Sequence, residues 1–251
     1  MLPKDWDKVN RFSPELFQSI QNSLDPAADQ KVAAFDADGT LWDTDLGEAF
    51  FRYQIQNCPL PGLTKDPWGE YQRRKSDNYA LGCLWLAQIN AGQSLSQVRE
   101  WAEACFQSLE PVPIFENARR WIDLLQAYDF DIYIITASTS WSVEPAARRL
   151  GIPIENVLGM HTSQKNGLLT DEGIEPLTYA AGKAKALITR RNGTKPQICF
   201  GNSSGDVALL ESATHAAVAV KTQTEGTELF ESEMKLQLIA AERGWLTHHY
   251  R

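Results

Sequence analysis

A short apolar run followed by two aspartates, within residues 32–42, constrains the fold of this chain more than any other stretch. The run at residues 32–35 has the length and composition of a buried strand, and Gly39 indicates a tight loop after it. Asp36 and Asp38 stand where that strand ends. Two carboxylates this close repel each other unless a cation, a proton or backbone N–H groups offset the repulsion. The stretch therefore predicts a functional site at the carboxyl end of a strand.

Strands alternate with helices along the rest of the chain. Further strands are predicted at residues 131–135, 157–160, 197–200 and 216–220, and helices at 114–127, 143–150, 183–191 and 228–243. This alternation is typical of an α/β fold, here a Rossmann-like doubly wound parallel sheet with right-handed crossovers. Ligands of such sheets bind beyond the carboxyl ends of the strands, where the loops 36–40, 136–138 and 201–206 would meet.

Residues 44–110 show no strand pattern. Apolar and aromatic residues recur there at helical spacing in three blocks, at 45–56, 68–91 and 94–109. We therefore expect a Rossmann-like catalytic core formed by residues 1–43 and 111–251. Residues 44–110 are expected to form an inserted helical cap.

The overall charge and the absence of targeting patterns narrow the functional classes. The formal net charge of −8 argues against nucleic acid as a partner, because phosphate backbones attract clustered Lys and Arg. No apolar stretch approaches membrane-spanning length and no secretory signal pattern begins the chain, so we expect a cytoplasmic protein with no membrane association. His248 and His249 are predicted to lie in an exposed tail. The sequence carries no signal for an oligomeric state.

The residues at the three loops, together with Lys183, suit a phosphate bound with Mg²⁺. Mg²⁺ prefers hard oxygen ligands, which are available from Asp36, Asp38 (through its backbone carbonyl), Asn202 and Asp206. Contacts to phosphoryl oxygens are available from Thr136, Ala137 and Lys183. An aspartate can also attack phosphorus and form an acyl phosphate.

Residues 36–40, Asp-Ala-Asp-Gly-Thr, resemble the first signature of the haloacid dehalogenase superfamily, in the form found in its Mg²⁺-dependent phosphatases. Thr136, Gly182-Lys183 and residues 201–206 resemble the second, third and fourth motifs, in the expected order. The helical segment between the first two motifs resembles the cap of the phosphoserine phosphatase-like branch. The resemblance implies an enzyme that hydrolyses a small phosphomonoester through an aspartyl-phosphate intermediate.

The resemblance also implies a role for each matched residue. Asp36 would attack phosphorus and bind the metal, and Asp38 would protonate the leaving alkoxide and then activate water. Thr136 and Lys183 would hold the phosphate, and Asp206 would hold the metal directly or through water. One position departs from the pattern, because Asn202 stands where the fourth motif usually has aspartate. Losing that negative charge predicts weaker Mg²⁺ binding than an Asn202→Asp variant would show.

The cap is expected to carry the substrate contacts. Candidates in the cap are Glu48, Arg52 and Arg73. Trp42 and Trp141, in the core ranges that flank the site, are expected either to pack the core against the cap or to face the substrate. The substrate would resemble phosphoserine, or it would carry a choline- or ethanolamine-like headgroup held by cation–π contacts. A closing cap also predicts a preference for small phosphorylated metabolites over phosphopeptides.

Two other functions fit parts of the sequence. Residues 201–205 match the Gly-x-Ser-x-Gly elbow of serine hydrolases, with Ser203 as nucleophile and His215, His248 or His249 as possible partners. That alternative gives no role to Asp36 or Asp38. The second alternative, suggested by Asn202, is a catalytically weak or non-catalytic protein that binds phosphate or metal.

Overall fold

The computed structural model describes residues 18, 20, 31–109, 113–227 and 229–250. Most of the chain before residue 31, which was assigned to the core, lies outside these residues. In chain order the strands are β1 Val32–Phe35, β2 Asp131–Thr139, β3 Val157–Met160, β4 Thr162–Lys165, β5 Leu168–Gly173, β6 Ile198–Gly201, β7 Ala216–Lys221 and β8 Leu246–His249. Six of them form a parallel sheet in the order β3-β2-β1-β6-β7-β8, and β4 pairs with β5 in an antiparallel hairpin.

Helices occupy the connections between the strands. They are α1 Leu46–Asn57, α2 Pro67–Asp77, α3 Tyr79–Gln88, α4 Leu95–Ser108, α5 Glu116–Ala127, α6 Ser140–Arg149, α7 Ala181–Arg190, α8 Val207–Glu211 and α9 Phe230–Arg243. Helices α1 to α4 all fall between β1 and β2, and we call this segment the helical insertion. The predicted α/β class with a doubly wound parallel sheet is confirmed.

Both faces of the sheet are covered, which explains why its strands are apolar throughout rather than alternating. In β1, Ala33 and Phe35 face one apolar cluster, whereas Val32 and Ala34 face the other. The ring of Phe35 stacks on that of Phe200 in β6, with 4.3 Å between their centres. The first strand therefore lies in the middle of the molecule, between β2 and β6, and its carboxyl end opens onto the point where the winding direction reverses.

The second helical block of the insertion differs from the prediction. The sequence pattern indicated one helix over residues 68–91, but the structure contains two helices that meet at Asn78. The Asn78 backbone N–H donates to Arg74 O at the end of α2, while its side-chain Oδ1 accepts from Leu81 N at the start of α3. Asparagine favours such caps because its side chain replaces a missing backbone partner. Apolar periodicity continues across the break, and for that reason the break was not predicted.

The last strand, β8, was also missed. Its residues pair in parallel with β7, with Val220 opposite His248. His248 is 5% exposed, so the prediction that it belongs to an exposed tail is wrong, whereas His249 is exposed as expected. The run Leu-Thr-His-His is short and polar, as edge strands commonly are, and it lacks the apolar run used to recognise the central strands. No helix in the described ranges is long and apolar enough to cross a membrane.

Candidate active site

The loop after β1 is anchored to the neighbouring strand and folded tightly. The Asp36 backbone N–H donates to Phe200 O at 2.9 Å, and the Gly39 N–H donates to Trp42 O at 2.9 Å. Gly39 has a φ of +82°, and a Cβ at this position would collide with the side chain of Asn202. Both the positive φ and the close approach of Asn202 therefore require glycine at this position. It allows the loop after β1 to approach the loop after β6.

A buried ammonium joins two carboxylates at the centre of the site. Lys183 Nζ, near the start of α7, lies 2.5 Å from Asp36 Oδ1 and 2.5 Å from Asp206 Oδ1. All three side chains are buried. Burial, and then repulsion from Asp206, raises the pKa of Asp36 to about 7, although Lys183 acts in the opposite direction. Burial disfavours the charge on Lys183, but Asp206 and Asp36 outweigh it and raise the pKa of the lysine.

Asp206 organises the loop after β6. Its Oδ2 accepts from the backbone N–H groups of Asn202 at 3.2 Å and Ser203 at 2.9 Å, and from Ser203 Oγ at 2.9 Å. The Ser203 hydroxyl is thus directed to a carboxylate, and no histidine contacts it in the described part of the chain. The three histidines considered as partners lie elsewhere, since His215 bonds Thr214 and the other two belong to β8. The geometry does not support the serine hydrolase alternative.

Asp38 is held by three hydrogen-bond donors. Its Oδ1 accepts from Trp42 Nε1 at 2.7 Å and from Leu46 N at 3.0 Å, and its Oδ2 accepts from Ser138 Oγ at 2.6 Å. Burial raises the pKa of Asp38, and these hydrogen bonds oppose the rise. Asp38 is therefore an oriented carboxyl group whose protonated form burial favours.

The carboxyl edge of the sheet opens into a cavity of about 550 Å³. The predicted site residues that line it are Asp36, Asp38, Thr136, Ala137, Lys183 and Asn202. Asp206 lies behind Lys183 and is fully buried. The Thr136 hydroxyl accepts from Ser138 N at 3.0 Å, which orients the end of β2 toward the same loops. Residues from four distant parts of the chain thus meet at one cavity.

The donors around this cavity suit a hard divalent cation. Thr40 Oγ1 lies 3.0 Å from Asp36 Oδ2 and 3.3 Å from Asn202 Oδ1, so a carboxylate oxygen and an amide oxygen converge. Lys183 pairs with the carboxyl groups of Asp36 and Asp206, and Asp38 is a third carboxyl group at the same cavity. The described residues contain no cluster of three or more His, Cys, Asp or Glu arranged to hold a metal. A cation here would need amide and backbone oxygens as well as Asp36, which suits Mg²⁺.

Two tryptophans predicted to contact substrate do not line this cavity. Trp42 is fully buried and donates to Asp38, so its place is behind the site rather than against a ligand. Trp141 is 2% exposed and packs in the apolar cluster between α6 and the helical insertion. The prediction that these two tryptophans contact substrate is wrong, because a ring with almost no accessible surface has none to offer a ligand.

The charged candidates of the insertion also lie outside the cavity lining. The Arg52 guanidinium stacks on the Trp68 ring at 3.5 Å, and Arg73 pairs with Glu70 at 2.6 Å on an exposed helix face. Glu48 accepts a hydrogen bond from Lys75 Nζ at 2.8 Å. It therefore lies behind Lys75, which does line the cavity. Sequence position near the entrance did not reveal which helix face turns inward.

Other side chains of the insertion face the cavity and were missed. Asp45, Tyr71, Lys75 and Tyr79 line it, as does Tyr179 ahead of α7. The rings of Tyr79 and Tyr179 stack with 4.5 Å between their centres. Burial, followed by repulsion from Asp38 and Glu48, raises the pKa of Asp45 to about 8. Asp45 also caps α1 by accepting from Glu48 N at 2.7 Å, and a capping aspartate gives no sequence signal of a second role.

Comparison with known proteins finds solved structures with the same fold. A solved protein of unknown function from Bordetella pertussis Tohama I is 18% identical, with a TM-score of 0.69 over 88% of this chain and 98% of that one. Cytosolic 5′-nucleotidase IIIB bound to cytidine is 13% identical, with a TM-score of 0.60 over 90% and 83%. Substrate-bound phosphoserine phosphatase is 14% identical, with a TM-score of 0.51 over 77% and 87%. At these identities the likeness establishes a shared fold.

The sequence itself gave no significant match among curated proteins. The family model of haloacid dehalogenase-like hydrolases (HAD) matches residues 33–211, which include the loop after β1, Thr136, Lys183 and the loop after β6. That match spans well over half of the chain, and the cavity-lining residues Gln223, Leu229 and Ser232 lie beyond it. The chain is a hydrolase that belongs to the haloacid dehalogenase-like family.

Proposed function

We propose that this enzyme is a Mg²⁺-dependent phosphatase that hydrolyses a small phosphomonoester through an aspartyl-phosphate intermediate on Asp36. One observation supports this proposal: the same cavity is lined by Asp36, Asp38, Thr136, Lys183 and Asn202. Two carboxylates two residues apart supply a nucleophile and a proton shuttle, which phosphoryl transfer to an aspartate requires. Phosphatases are also among the solved proteins that share this fold.

The proposed reaction has two displacements. An oxygen of Asp36 attacks phosphorus as the ester P–O bond breaks, and Asp38 gives its proton to the leaving alkoxide. Water then attacks the same phosphorus and gives a proton to Asp38, which releases inorganic phosphate and restores the Asp36 carboxylate. Lys183, the Thr136 hydroxyl and the Ala137 N–H would offset the charge of the phosphoryl oxygens.

Mg²⁺ would be held by Asp36, the Asp38 carbonyl and Asn202, with Asp206 behind them. When bound, the ion would neutralise phosphoryl charge and orient the phosphate. Burial and the neighbouring carboxylates disfavour the charged form of Asp36. A divalent cation offsets that cost directly.

We further propose that the substrate is small and carries an ammonium group. The positive charge of Lys75 is balanced by Glu48, and the Asp45 carboxyl group lines the insertion side of the cavity. A substrate ammonium group beside Asp45 would favour its ionised form and pair with it. Three tyrosines line the cavity, but the Lys75 ammonium already lies over the rings of Tyr71 and Tyr79, 5.4 and 5.1 Å from their centres. Tyr179 therefore offers the ring that a substrate cation would contact, an interaction worth about 0.5–2 kcal/mol. Phosphoethanolamine-, phosphocholine- and phosphoserine-like esters fit this lining. The helical insertion would act as the cap that closes over them.

A phosphate-release screen tests both proposals. The wild type and Asp36→Asn are assayed with and without Mg²⁺ on phosphoethanolamine, phosphocholine, phosphoserine, glycerol phosphate and a phosphopeptide. We expect Mg²⁺-dependent release by the wild type alone, fastest for the ammonium esters and slowest for the peptide. Equal release by Asp36→Asn would exclude Asp36 as nucleophile, and no release from any ester would favour the binding-protein alternative. A preference for glycerol phosphate would overturn the assignment of the ammonium group.

A further inference from the structure

A buried glutamate that belongs to no recognised motif lies directly behind the loop after β6. Glu233 of α9 has no exposed surface. Its Oε1 accepts from Asn202 Nδ2 at 3.2 Å and from Thr222 Oγ1 at 2.8 Å, and its Oε2 accepts from the backbone N–H groups of Thr222 at 3.1 Å and Gln223 at 2.8 Å. All of these donors are neutral. A buried carboxylate held only by neutral donors is costly, and its place beside Asn202 calls for a reason.

Glu233 determines which way the Asn202 amide points. A carboxylate only accepts hydrogen bonds, so the amide must turn its NH₂ group toward Glu233. The amide oxygen is then left on the opposite side, where it lies 3.3 Å from Thr40 Oγ1 beside Asp36. Asn202 thus presents its oxygen to the proposed cation and its nitrogen to the glutamate. A flipped amide would present the cation with its NH₂ group, which cannot ligate it.

The pair also compensates for a missing charge. Asn202 is neutral, but the carboxylate of Glu233 is one hydrogen bond away and polarises the amide toward its oxygen. We propose that Glu233 is a positioning residue for the metal site, which orients Asn202 and supplies from behind it the negative charge that the loop lacks. This inference rests on the proposed function, because it assumes that Asn202 faces a cation.

If Glu233 and Asn202 act as a pair, the effect of substituting one on stability should depend on which residue stands at the other. Asn202→Asp in the wild-type background places two buried carboxylates in contact, and like charges in a buried site repel strongly. Asn202→Asp together with Glu233→Gln keeps the total charge of the wild type and lets a Gln N–H₂ group donate to the new carboxylate. A purely structural Glu233, serving only the backbone of Thr222 and Gln223, predicts no such dependence.

The first measurement uses metal-free protein. Thermal unfolding in a chelator is compared for the wild type, Asn202→Asp, Glu233→Gln and the double variant. We expect Asn202→Asp to lower the melting temperature of the wild type but to leave that of Glu233→Gln unchanged or higher. An equal loss in both backgrounds would overturn the pairing. Neither metal nor substrate enters this measurement.

The second measurement is calorimetric titration with Mg²⁺. Glu233→Gln should weaken binding about 10- to 100-fold, the usual cost of removing a group that orients a metal ligand, and the double variant should recover most of it. Glu231→Gln, exposed on the same helix, removes the same charge from the surface and should stay within about twofold of the wild type. Wild-type affinity in Glu233→Gln would overturn the proposal. If the wild type itself binds no Mg²⁺, the proposed function fails, and the metal-free comparison alone decides whether Asn202 and Glu233 act as a pair.

Discussion

Asp38 gains its proposed role from neighbours that are distant along the chain. Trp42 and Leu46 follow it in sequence, but Ser138 comes from the end of β2 and donates at 2.6 Å. A general acid must keep one orientation while it gives and takes a proton, so the loss of a donor affects the reaction more than the fold. Ser138 is therefore the best place to test how far Asp38 depends on its surroundings.

We expect Ser138→Ala to lower kcat for phosphomonoester hydrolysis about tenfold or more, because the Asp38 carboxyl loses a short hydrogen bond from a group at the cavity. The matched control is Thr139→Val, one residue along, which removes a buried hydroxyl that has no hydrogen-bond partner among the described residues. That variant should keep its activity and its free energy of unfolding. Equal losses of kcat in the two variants would show that Ser138 acts through packing alone.

Residues of the four recognised motifs were the ones that sequence reasoning placed well. Asp36 and Asp38 lie at a strand end as predicted, and Thr136 and Lys183 reach the same cavity although Lys183 is 147 positions from Asp36. Asp45 and Glu233 were missed for a physical reason. Each has an ordinary structural function, one as a helix cap and the other as an acceptor for backbone N–H groups, and residue type alone does not reveal a second role.

The central strands were predictable because burial on both faces leaves a long apolar run. The elements that escaped prediction lack that signal. Asn78 divides two helices without interrupting their periodicity, and Gly82 lets them pack closely, since a Cβ there would lie 2.6 Å from the backbone of Lys75. β8 is short and polar, and only its parallel pairing with β7 identifies it as a strand.

His248 in strand β8 should make the free energy of unfolding depend on pH in the acid range. Burial lowers the pKa of His248 from 6.5 to about 4, and its ring packs edge-on against Trp121 and Tyr250. A lowered pKa means that folding favours the neutral ring, so this stabilisation is complete above pH 6.5 and is lost as the pH falls toward 4. The loss amounts to about 2 kcal/mol near pH 4.5.

His248→Phe keeps an aromatic ring and removes the titration. We expect its free energy of unfolding, measured by urea denaturation, to fall less than that of the wild type between about pH 7 and pH 4.5. His249→Phe, exposed in the same strand, provides the comparison. Repulsion from His249 adds to the effect of burial on the pKa of His248, so this variant should keep most of the wild-type pH dependence. A wild-type pH dependence in His248→Phe would exclude His248 as a source of acid sensitivity.

Different parts of the molecule supply the proposed reacting groups and the groups expected to select the substrate. The carboxyl edge of the sheet carries Asp36, Asp38 and Lys183, whereas the helical insertion adds Asp45, Lys75 and tyrosines to the opposite side of the same cavity. The insertion residues follow the first aspartates closely in sequence. Apolar periodicity, however, does not show which face of each helix turns toward the cavity. For that reason the family and the reaction class were predictable, and the residues that face the substrate were not.

The contact between Tyr79 and Tyr179 is where the two sides meet, and it should limit substrate size. Tyr79 comes from α3 and Tyr179 from the segment before α7, and both rings line the cavity. Aromatic pairs of this kind contribute about 0.5–1.5 kcal/mol beyond burial. Removing one ring widens the cavity and weakens the closure of the insertion over a small ester.

We therefore expect Tyr79→Ala to shift selectivity toward larger esters. The ratio of kcat/KM for naphthyl phosphate to kcat/KM for phosphoethanolamine should rise about threefold to tenfold, because the small ester loses ring contacts while the large one gains room. Leu81→Ala on the same helix is the control, since its side chain is 53% exposed and does not line the cavity. An unchanged ratio in Tyr79→Ala would mean that the tyrosine pair does not limit access. Selectivity would then have to be sought deeper in the cavity, at Asp45 and Tyr71.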